Sequence, residues 1–350
     1  MFQEIFMCWD ERVLQENAAH QIREQVLSLV KVPLEQTKQV GTNQSFAPFH
    51  YELIKLPHPV DHSGELEQRV KQKLISREYQ LDLWLAERFI DLAYPEASSP
   101  AAGAADAASN SAAQAAPAVG PNSKQVPPLA LVMDMDMTTV QIEGIDEIAR
   151  KLGVFDQVAA ITHEAMHGHL EFSESLQRRV ALLKGGKANE VLAAVRAIMT
   201  ETDGLKQLLT FCNEQKAAGI KFLTCIASGG FHELISVIDS KYHLNKIAAN
   251  RLAVDSSNGT FTGKVDGPII DAQAKAHLVI SLKKEEHIAQ ERIIVVGDGA
   301  NDLLMMQQGG LGIAYHAKPK VQEQARYLIN YGNLSAIVAL LSLATTMHAA

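Results

Sequence analysis

The sequence predicts an α/β protein: a parallel sheet core carrying an inserted helical cap, with a separate small α+β domain ahead of it. Three features of the chain lead there. Apolar runs at 129–133, 220–227, 293–296 and 311–315 alternate with helical stretches, the pattern of parallel strands joined by helices. The first three runs each deliver a polar cluster at the C-terminal end, where open α/β sheets bind their ligands. A stretch rich in Ala, Ser, Gly and Pro at 96–128 sets this alternation apart from residues 1–95.

Taken in order, residues 1–95 give mixed signals. Residues 65–89 are expected to be helical, with apolar side chains at Val70, Leu74, Leu81, Leu83, Leu85 and Phe89, and residues 46–56 to form a strand. No catalytic constellation falls here; packing or assembly into a homodimer stands beside regulatory binding as its role. Residues 96–128 carry few aliphatic anchors, and Pro100, Pro117, Pro121, Pro127 and Pro128 interrupt any long helix. A flexible linker spanning roughly 30 Å is expected. The alternating α/β unit then occupies 129–350. Between its first two strands lies a helical insertion, a cap at approximately 144–212, with Ile145, Ile148, Ala149 and Leu152 at helical spacing, and again Leu192, Val195, Ile198 and Met199. An insertion directly after a strand that ends in a polar cluster is well placed to act as a lid. Residues 251–265 suit a β-hairpin turning at Asn258-Gly259, a favoured type I′ pair. The apolar run at 334–347 suits a packed C-terminal helix and is too short to span a bilayer.

Composition narrows the partners. A formal net charge of −8 over 350 residues argues against nonspecific nucleic-acid binding, which needs an excess of Lys and Arg. Cys8, Cys212 and Cys225 form no CxxC pair and are odd in number, which suits reduced thiols in a cytoplasmic protein. No apolar signal region is visible near the N-terminus, and no membrane partner is expected.

Asp134-Met135-Asp136-Met137-Thr138 follows directly on the first buried run. Two like charges so close at the end of a buried strand are costly unless a cation or hydrogen bonds compensate them. Asp134 suits a nucleophile that attacks phosphorus and forms an aspartyl-phosphate; Asp136 suits the acid that protonates the leaving oxygen and then activates water. A helix-capping Asp is the bland alternative. Asp298, in Gly297-Asp298-Gly299-Ala300-Asn301-Asp302, can complete a hard oxygen site with Asp134 of the kind Mg²⁺ favours, whereas alone the motif also suits a turn. Ser228-Gly229-Gly230 can hold phosphate oxygens at a helix N-terminus. Lys275 can offset phosphate and carboxylate charge, although a lone helical Lys is usually solvated. Asn301 and Asp302 can position phosphate or water and support the metal site. In the insertion, Leu176, Val180 and Leu183 define an inward stripe on which Arg179 falls and Arg178 does not. Such a cation needs an anionic partner, either a substrate carboxylate or a neighbouring Glu or Asp. His163-Glu164-Ala165-Met166-His167 matches the H-E-x-x-H zinc pattern, with His169 nearby, but an ordinary polar helix face explains it as well.

Taken together, residues 129 to about 332 resemble the haloacid dehalogenase superfamily, and within it the bacterial phosphoserine phosphatases. The likeness rests on the run from Asp134 to Ala149, on Phe172 to Val180, on Ala227-Ser228-Gly229-Gly230-Phe231, on Asp271-Ala272-Gln273-Ala274-Lys275 and on the Gly297–Asp302 loop. The resemblance implies a Rossmann-like core with a helical cap, Mg²⁺ dependence, and hydrolysis of the small molecule O-phosphoserine in serine biosynthesis. It implies Mg²⁺ on Asp134, the Asp136 carbonyl and Asp298, with phosphate held by Ser228, Gly229, Lys275 and Asn301. It further implies that Glu143 binds the substrate ammonium and Arg179 its carboxylate, with Met166 and Phe172 shaping the pocket. Action on another small phosphomonoester, transfer to a second alcohol, and an amino-acid-sensing module with a vestigial core are the competing readings. Two positions depart from the family: Met137 stands where Ser is usual, and Gly144 replaces a larger residue. Residues 1–95 do not show the ferredoxin-like pattern of the amino-acid-binding domain that bacterial relatives often carry, which speaks against regulation by serine.

Overall fold

The computed structural model describes residues 2–29, 31–41, 48–60, 64–86, 88–89, 126–167 and 169–349. The N-terminal unit runs β1 (Phe2–Asp10), α1 (Glu16–Leu29), β2 (Lys38–Gly41), β3 (Phe49–Val60), α2 (Gly64–Ile75) and β4 (Asp82–Ala86). Its strands lie in the order β2-β3-β1-β4, with β1 antiparallel to both β3 and β4. That is the βαββαβ arrangement of the ferredoxin-like fold, so the expectation that residues 1–95 lack this pattern is corrected. The helix expected through residue 89 is corrected too, because it ends at Ile75 and the chain returns as β4. Leu81, Leu83 and Leu85 alternate rather than following helical spacing: they join the apolar cluster of Val26 on α1 and Val70 on α2, while Trp84 and Ala86 join the opposite one. A strand buried on both faces presents an apolar run that periodicity alone does not separate from a helix. The strand expected at 46–56 is found as β3, whose first residue is Phe49; 46 and 47 lie outside the described residues, as does 96–125 of the expected linker.

The second unit builds a seven-stranded sheet among the described residues, in the order β11-β10-β9-β5-β6-β7-β8. Its elements are β5 (Leu129–Met133), β6 (Phe222–Phe231), β7 (Lys246–Asp255), β8 (Thr260–Asp266), β9 (Ile293–Gly297), β10 (Leu311–Tyr315) and β11 (Tyr327–Ile329). All neighbours are parallel except β7 and β8. This hairpin turns through a four-residue loop, since Asp255 pairs with Thr260; the expected two-residue type I′ turn is absent. The Asp255 carboxylate accepts from the Ser257 backbone and hydroxyl and from Asn258, which favours the longer loop, and Gly259 supplies its positive φ of 70°.

Helices α3 (Gly144–Leu152), α4 (Phe155–Met166), α5 (Phe172–Ala181) and α6 (Ala188–Arg196) follow β5 and share one apolar cluster through Ile148, Val158, Val180 and Val195. The next helix, α7 (Leu205–Ala217), places Leu205, Leu208, Leu209 and Cys212 in the sheet's cluster instead. The cap therefore ends ahead of α7, earlier than the expected limit near 212. The remaining helices are α8 (His232–Tyr242), α9 (Ala272–Glu285), α10 (Leu303–Gln308), α11 (Pro319–Gln324) and α12 (Ser335–Ala349). No helix among the described residues is long and apolar enough to cross a membrane.

The two units share a core. Phe6, Cys8, Tyr51, Leu53 and Trp84, on the N-terminal sheet's face away from α1 and α2, cluster with Tyr327, Ile329 and the buried side of α12. Trp84 Nε1 donates to the Leu328 carbonyl at 2.8 Å, and the Tyr51 hydroxyl lies 2.9 Å from Ser335 Oγ. The carboxylate of Asp82 accepts from the backbone N–H groups of Asn330, Tyr331 and Gly332 at 2.7, 3.1 and 2.7 Å.

All three cysteines are buried free thiols. Burial pushes the Cys212 and Cys225 thiols up to about 12, and burial together with Asp82 raises Cys8. The thiolate is the reactive form, so at pH 8 iodoacetamide is expected to leave the native protein unmodified and to label all three in urea, as read by mass. Rapid native labelling at any of them would contradict this packing.

Candidate active site

The site lies at the C-terminal ends of β5, β6 and β9. Asp134 extends β5 by one residue, its N–H donating to the Val296 carbonyl at 2.9 Å. Its own carbonyl accepts from Thr139 Oγ1 at 2.5 Å, and both residues are buried. The chain then turns through Met137, which has a positive φ of 55° and is 43% exposed. Asp136 points toward the cap and accepts the Gly144 N–H at 2.8 Å at the start of α3. Two glycines admit it there. A Cβ at Gly230 would collide with Asp136 Oδ2, and one at Gly144 would lie 2.7 Å from Leu234 and 3.2 Å from Asp136 Oδ1. Any side chain at position 144 would need both neighbours to shift.

Lys275 sits in the first turn of α9, whose N-cap Asp271 accepts from the Ala274 N–H. The ammonium is 1% exposed and donates to Asp134 Oδ1 at 2.8 Å and Asp302 Oδ1 at 2.7 Å. Burial opposes its charge, but the two carboxylates outweigh that and hold its pKa above the ordinary lysine value. Asp302 is itself fully buried and its Oδ2 accepts the Gly299 N–H at 3.0 Å. Gly297 makes room for it, since a Cβ there would lie 2.5 Å from Asp302 Cγ.

Ser228, Gly229 and Gly230 are not in a strand-to-helix turn as expected. They lie within β6 as a bulge, where pairing with β7 slips between Ala227 and Phe231, and α8 begins only at His232. The extra residues re-aim the backbone beside the site, a known use of bulges. Ser228 Oγ accepts the Gly230 N–H at 2.8 Å. Asn250, fully buried, donates to the Gly229 carbonyl at 2.8 Å and accepts the Ile270 N–H at 2.8 Å, tying the bulge to the segment before α9. Asn250 is not legible in the sequence, since a lone amide in a strand carries no motif.

From the cap, Arg179 is half-buried and forms no salt bridge among the described residues; its Nε donates to the Ser175 carbonyl at 3.3 Å. Burial lowers its pKa, opposed by Asp146, Glu143 and Asp136 nearby. Arg178 turns outward to Glu174 at 2.7 Å, as the helical stripe predicts. Phe172 lies over the Ser228–Gly230 bulge, close enough that a Cβ on Gly229 would stand 2.9 Å from its ring, whereas Met166 is 63% exposed. His163, His167 and His169 are exposed on or beside α4, where an ordinary polar face accounts for them.

The acids of the site are all short of positive charge. Burial, reinforced by Asp302, raises Asp134 well above the usual carboxylate range, with Lys275 opposing. Burial pushes Asp136 and Asp298 up to about 6. Glu143, at the accessible mouth of the cleft but ringed by Asp136, Asp298 and Asp146, reaches about 8 through desolvation and those like charges. One oxygen each of Asp134, Asp298 and Asp302 lies within 4.8 Å of the other two. Three hard oxygens so placed fit a divalent cation of the Mg²⁺ type. Asp136 is in this structure a partner of Gly144, with its carboxylate outside the trio. Asp302, read from the sequence only as support, belongs to the trio.

The family of haloacid dehalogenase-like hydrolases matches residues 131–307. A phosphoserine phosphatase from Haemophilus influenzae is 43% identical over 212 residues, 61% of this chain and 65% of that relative. The chain thus spans just under two thirds of the length of that curated relative. A HAD family hydrolase from Salmonella enterica serovar Typhi superposes with a TM-score of 0.71 at 26% identity, over 97% of this chain and 98% of that one. A probable phosphoserine phosphatase from Vibrio cholerae gives 0.67 at 27% identity over 99% and 88%. The chain belongs to the haloacid dehalogenase-like hydrolases.

Replacing Lys275 by Met leaves Asp134 and Asp302 facing each other without their counter-charge. Such a loss costs about 3–5 kcal/mol. Urea unfolding in metal-free buffer at pH 7.5 is expected to show it, and the deficit is expected to shrink toward pH 5 as one carboxyl takes up a proton. An unchanged midpoint would show that the ammonium is not needed to hold the cluster.

Proposed function

We propose that the protein is a cytoplasmic, Mg²⁺-dependent phosphoserine phosphatase that converts O-phospho-L-serine to L-serine and phosphate, the last step of L-serine biosynthesis. The observation that carries this reading is the pairing of a buried Asp134–Lys275–Asp302 cluster with a cap arginine, Arg179, that lies near Glu143 and has no salt bridge among the described residues. The cluster suits phosphoryl transfer, and the two cap side chains suit a zwitterionic amino acid. The similarity to phosphoserine phosphatases supports the same assignment, and three free cysteines suit a reducing compartment.

In this reading Asp134 attacks phosphorus and the serine oxygen leaves, taking a proton from Asp136. Asp136 then takes a proton from water, whose oxygen attacks the phosphorus of the aspartyl-phosphate; phosphate departs and Asp134 is restored. Ser228, the Gly229 N–H, Lys275 and Asn301 hold the phosphate oxygens. Glu143 meets the ammonium and Arg179 the carboxylate. Mg²⁺, held by Asp134, Asp298 and the Asp136 carbonyl with Asp302 in support, would offset the charge gathered on phosphate and carboxylates.

Phosphate release from L-phosphoserine is expected to require Mg²⁺ and to vanish with EDTA. Asp134→Asn should cut turnover by at least about a thousandfold while urea unfolding still reports a folded protein. Retained turnover would remove Asp134 from the nucleophile's role. Arg179→Met should raise KM for phosphoserine by about 30-fold and leave phosphoethanolamine, which lacks the carboxylate, nearly unaffected. Equal losses on both substrates would sink the carboxylate assignment. Activity confined to other esters would keep the chemistry and replace the substrate, and no hydrolysis at all would favour the amino-acid-sensing reading.

A further inference from the structure

We propose that Asp82, in the N-terminal unit, is a positioning residue for Asp134, acting through a strut made of residues 330–335, 202–204 and Thr139. The proposal rests on the reading of Asp134 as the nucleophile.

The strut is a continuous series of short contacts. Asp82 is 1% exposed, and its two oxygens take the backbone N–H groups of Asn330, Tyr331 and Gly332. The same loop then meets the start of α7: the Leu334 N–H donates to the Asp203 carbonyl at 3.1 Å. Gly204, at a positive φ of 83°, is pressed against it so closely that a Cβ would stand 2.5 Å from Ser335 N and 2.6 Å from Asn333 Oδ1. Asn333 Oδ1 is fixed in turn by the Ser335 N–H and hydroxyl at 2.8 and 2.6 Å. One residue earlier, the Thr202 N–H donates to the Thr139 carbonyl at 3.0 Å, and Val140 bridges Glu201. Thr139 closes the series by donating its hydroxyl to the Asp134 carbonyl at 2.5 Å. Thr139, Thr202 and Ser335 are all buried.

The geometry leaves this route little slack. Close-packed interiors transmit displacement instead of absorbing it, and the seat of a nucleophile is sensitive to shifts well under a bond length. Backbone N–H groups of the 330–332 loop released from Asp82 must find new partners, and Gly204 has no free space into which the loop can relax. The bland alternative is that Asp82 only fastens the N-terminal unit to the core. In that case losing it would lower stability without touching the chemistry.

The test uses the full chain with Asp82→Asn, Gly204→Ala and a matched destabilising control, Val26→Ala, whose side chain on α1 packs in the apolar cluster on the sheet face away from the strut. Where the folded fraction is equal, Asp82→Asn and Gly204→Ala are expected to lower kcat about 3- to 30-fold with little change in KM, and Val26→Ala to leave kcat alone. Adding Asp82→Asn to Thr139→Val should cost nothing further, since the last link is already cut. Backbone hydrogen exchange at Thr139, Val140 and Thr202 supplies a readout independent of turnover; it should speed up at least about tenfold in Asp82→Asn and not in Val26→Ala. Unchanged kcat and exchange in a folded Asp82→Asn protein, or additive losses with Thr139→Val, would overturn the strut. If Asp82→Asn does not fold, Gly204→Ala decides by the same measures. A wild-type protein that hydrolyses phosphoserine, loses this with Asp134→Asn and ignores the strut variants would leave the proposed function standing. A wild type without phosphatase activity would sink that function, and the exchange data would still judge the strut.

Discussion

One buried ammonium organises this site. Lys275 reaches Asp134 across 141 residues of sequence and Asp302 across 27. Its charge makes it tolerable to seat two carboxylates at the end of a sheet where water is excluded. A lone charge in such a place would shift its pKa and neutralise itself. Three segments that share nothing locally are therefore held in register by a single electrostatic demand. The local details serve it: Asp271 caps α9 so that its first turn presents Lys275, and Gly297 leaves space for Asp302. The cluster still carries more negative than positive charge, and the surplus falls where three carboxylate oxygens converge.

Around that cluster the chain uses small residues to bring backbone and carboxylate together. Gly230 and Gly144 flank Asp136 from β6 and α3, joining the loop after β5 to the cap at its first turn. Gly229 lets Phe172 descend from α5 onto the bulge. The cap is thus tied to the core by contacts around Asp136 and the Ser228–Gly230 bulge as well as by its shared apolar cluster.

Much of the core was legible in the sequence. The bounds of β5 and β10 agree with the apolar runs because both strands are buried throughout, with Pro128 or Gly310 just before them and Asp134 or His316 just after. The separation of Arg179 from Arg178 followed from helical spacing alone. What was not legible shares a cause: it depends on partners distant in sequence. The strand β2 is short and mostly exposed, so its pairing with β3, and with it the ferredoxin-like order, leaves little periodic trace. Leu81, Leu83 and Leu85 read as helical because the face opposite them is also covered. Whether α7 belonged to cap or core rested on which cluster received Leu208 and Leu209, and spacing says nothing of that. Lys275 gave the same letter pattern as a solvated helical lysine; only the strand ends around it show that it is buried.

The covering of the N-terminal sheet by α12 also has a bearing on synthesis. The strands that carry Phe6, Tyr51 and Trp84 are complete by residue 86, but the residues that cover them begin near Tyr327. At about 5–20 residues per second, some 240 residues of translation separate the two, an interval of about 12–50 s. For that time a finished four-stranded sheet would show water a face rich in aromatic side chains. Only when Tyr327 and the helix after it have been made can that face be covered, so the N-terminal sheet depends on a segment some 240 positions downstream of its last strand.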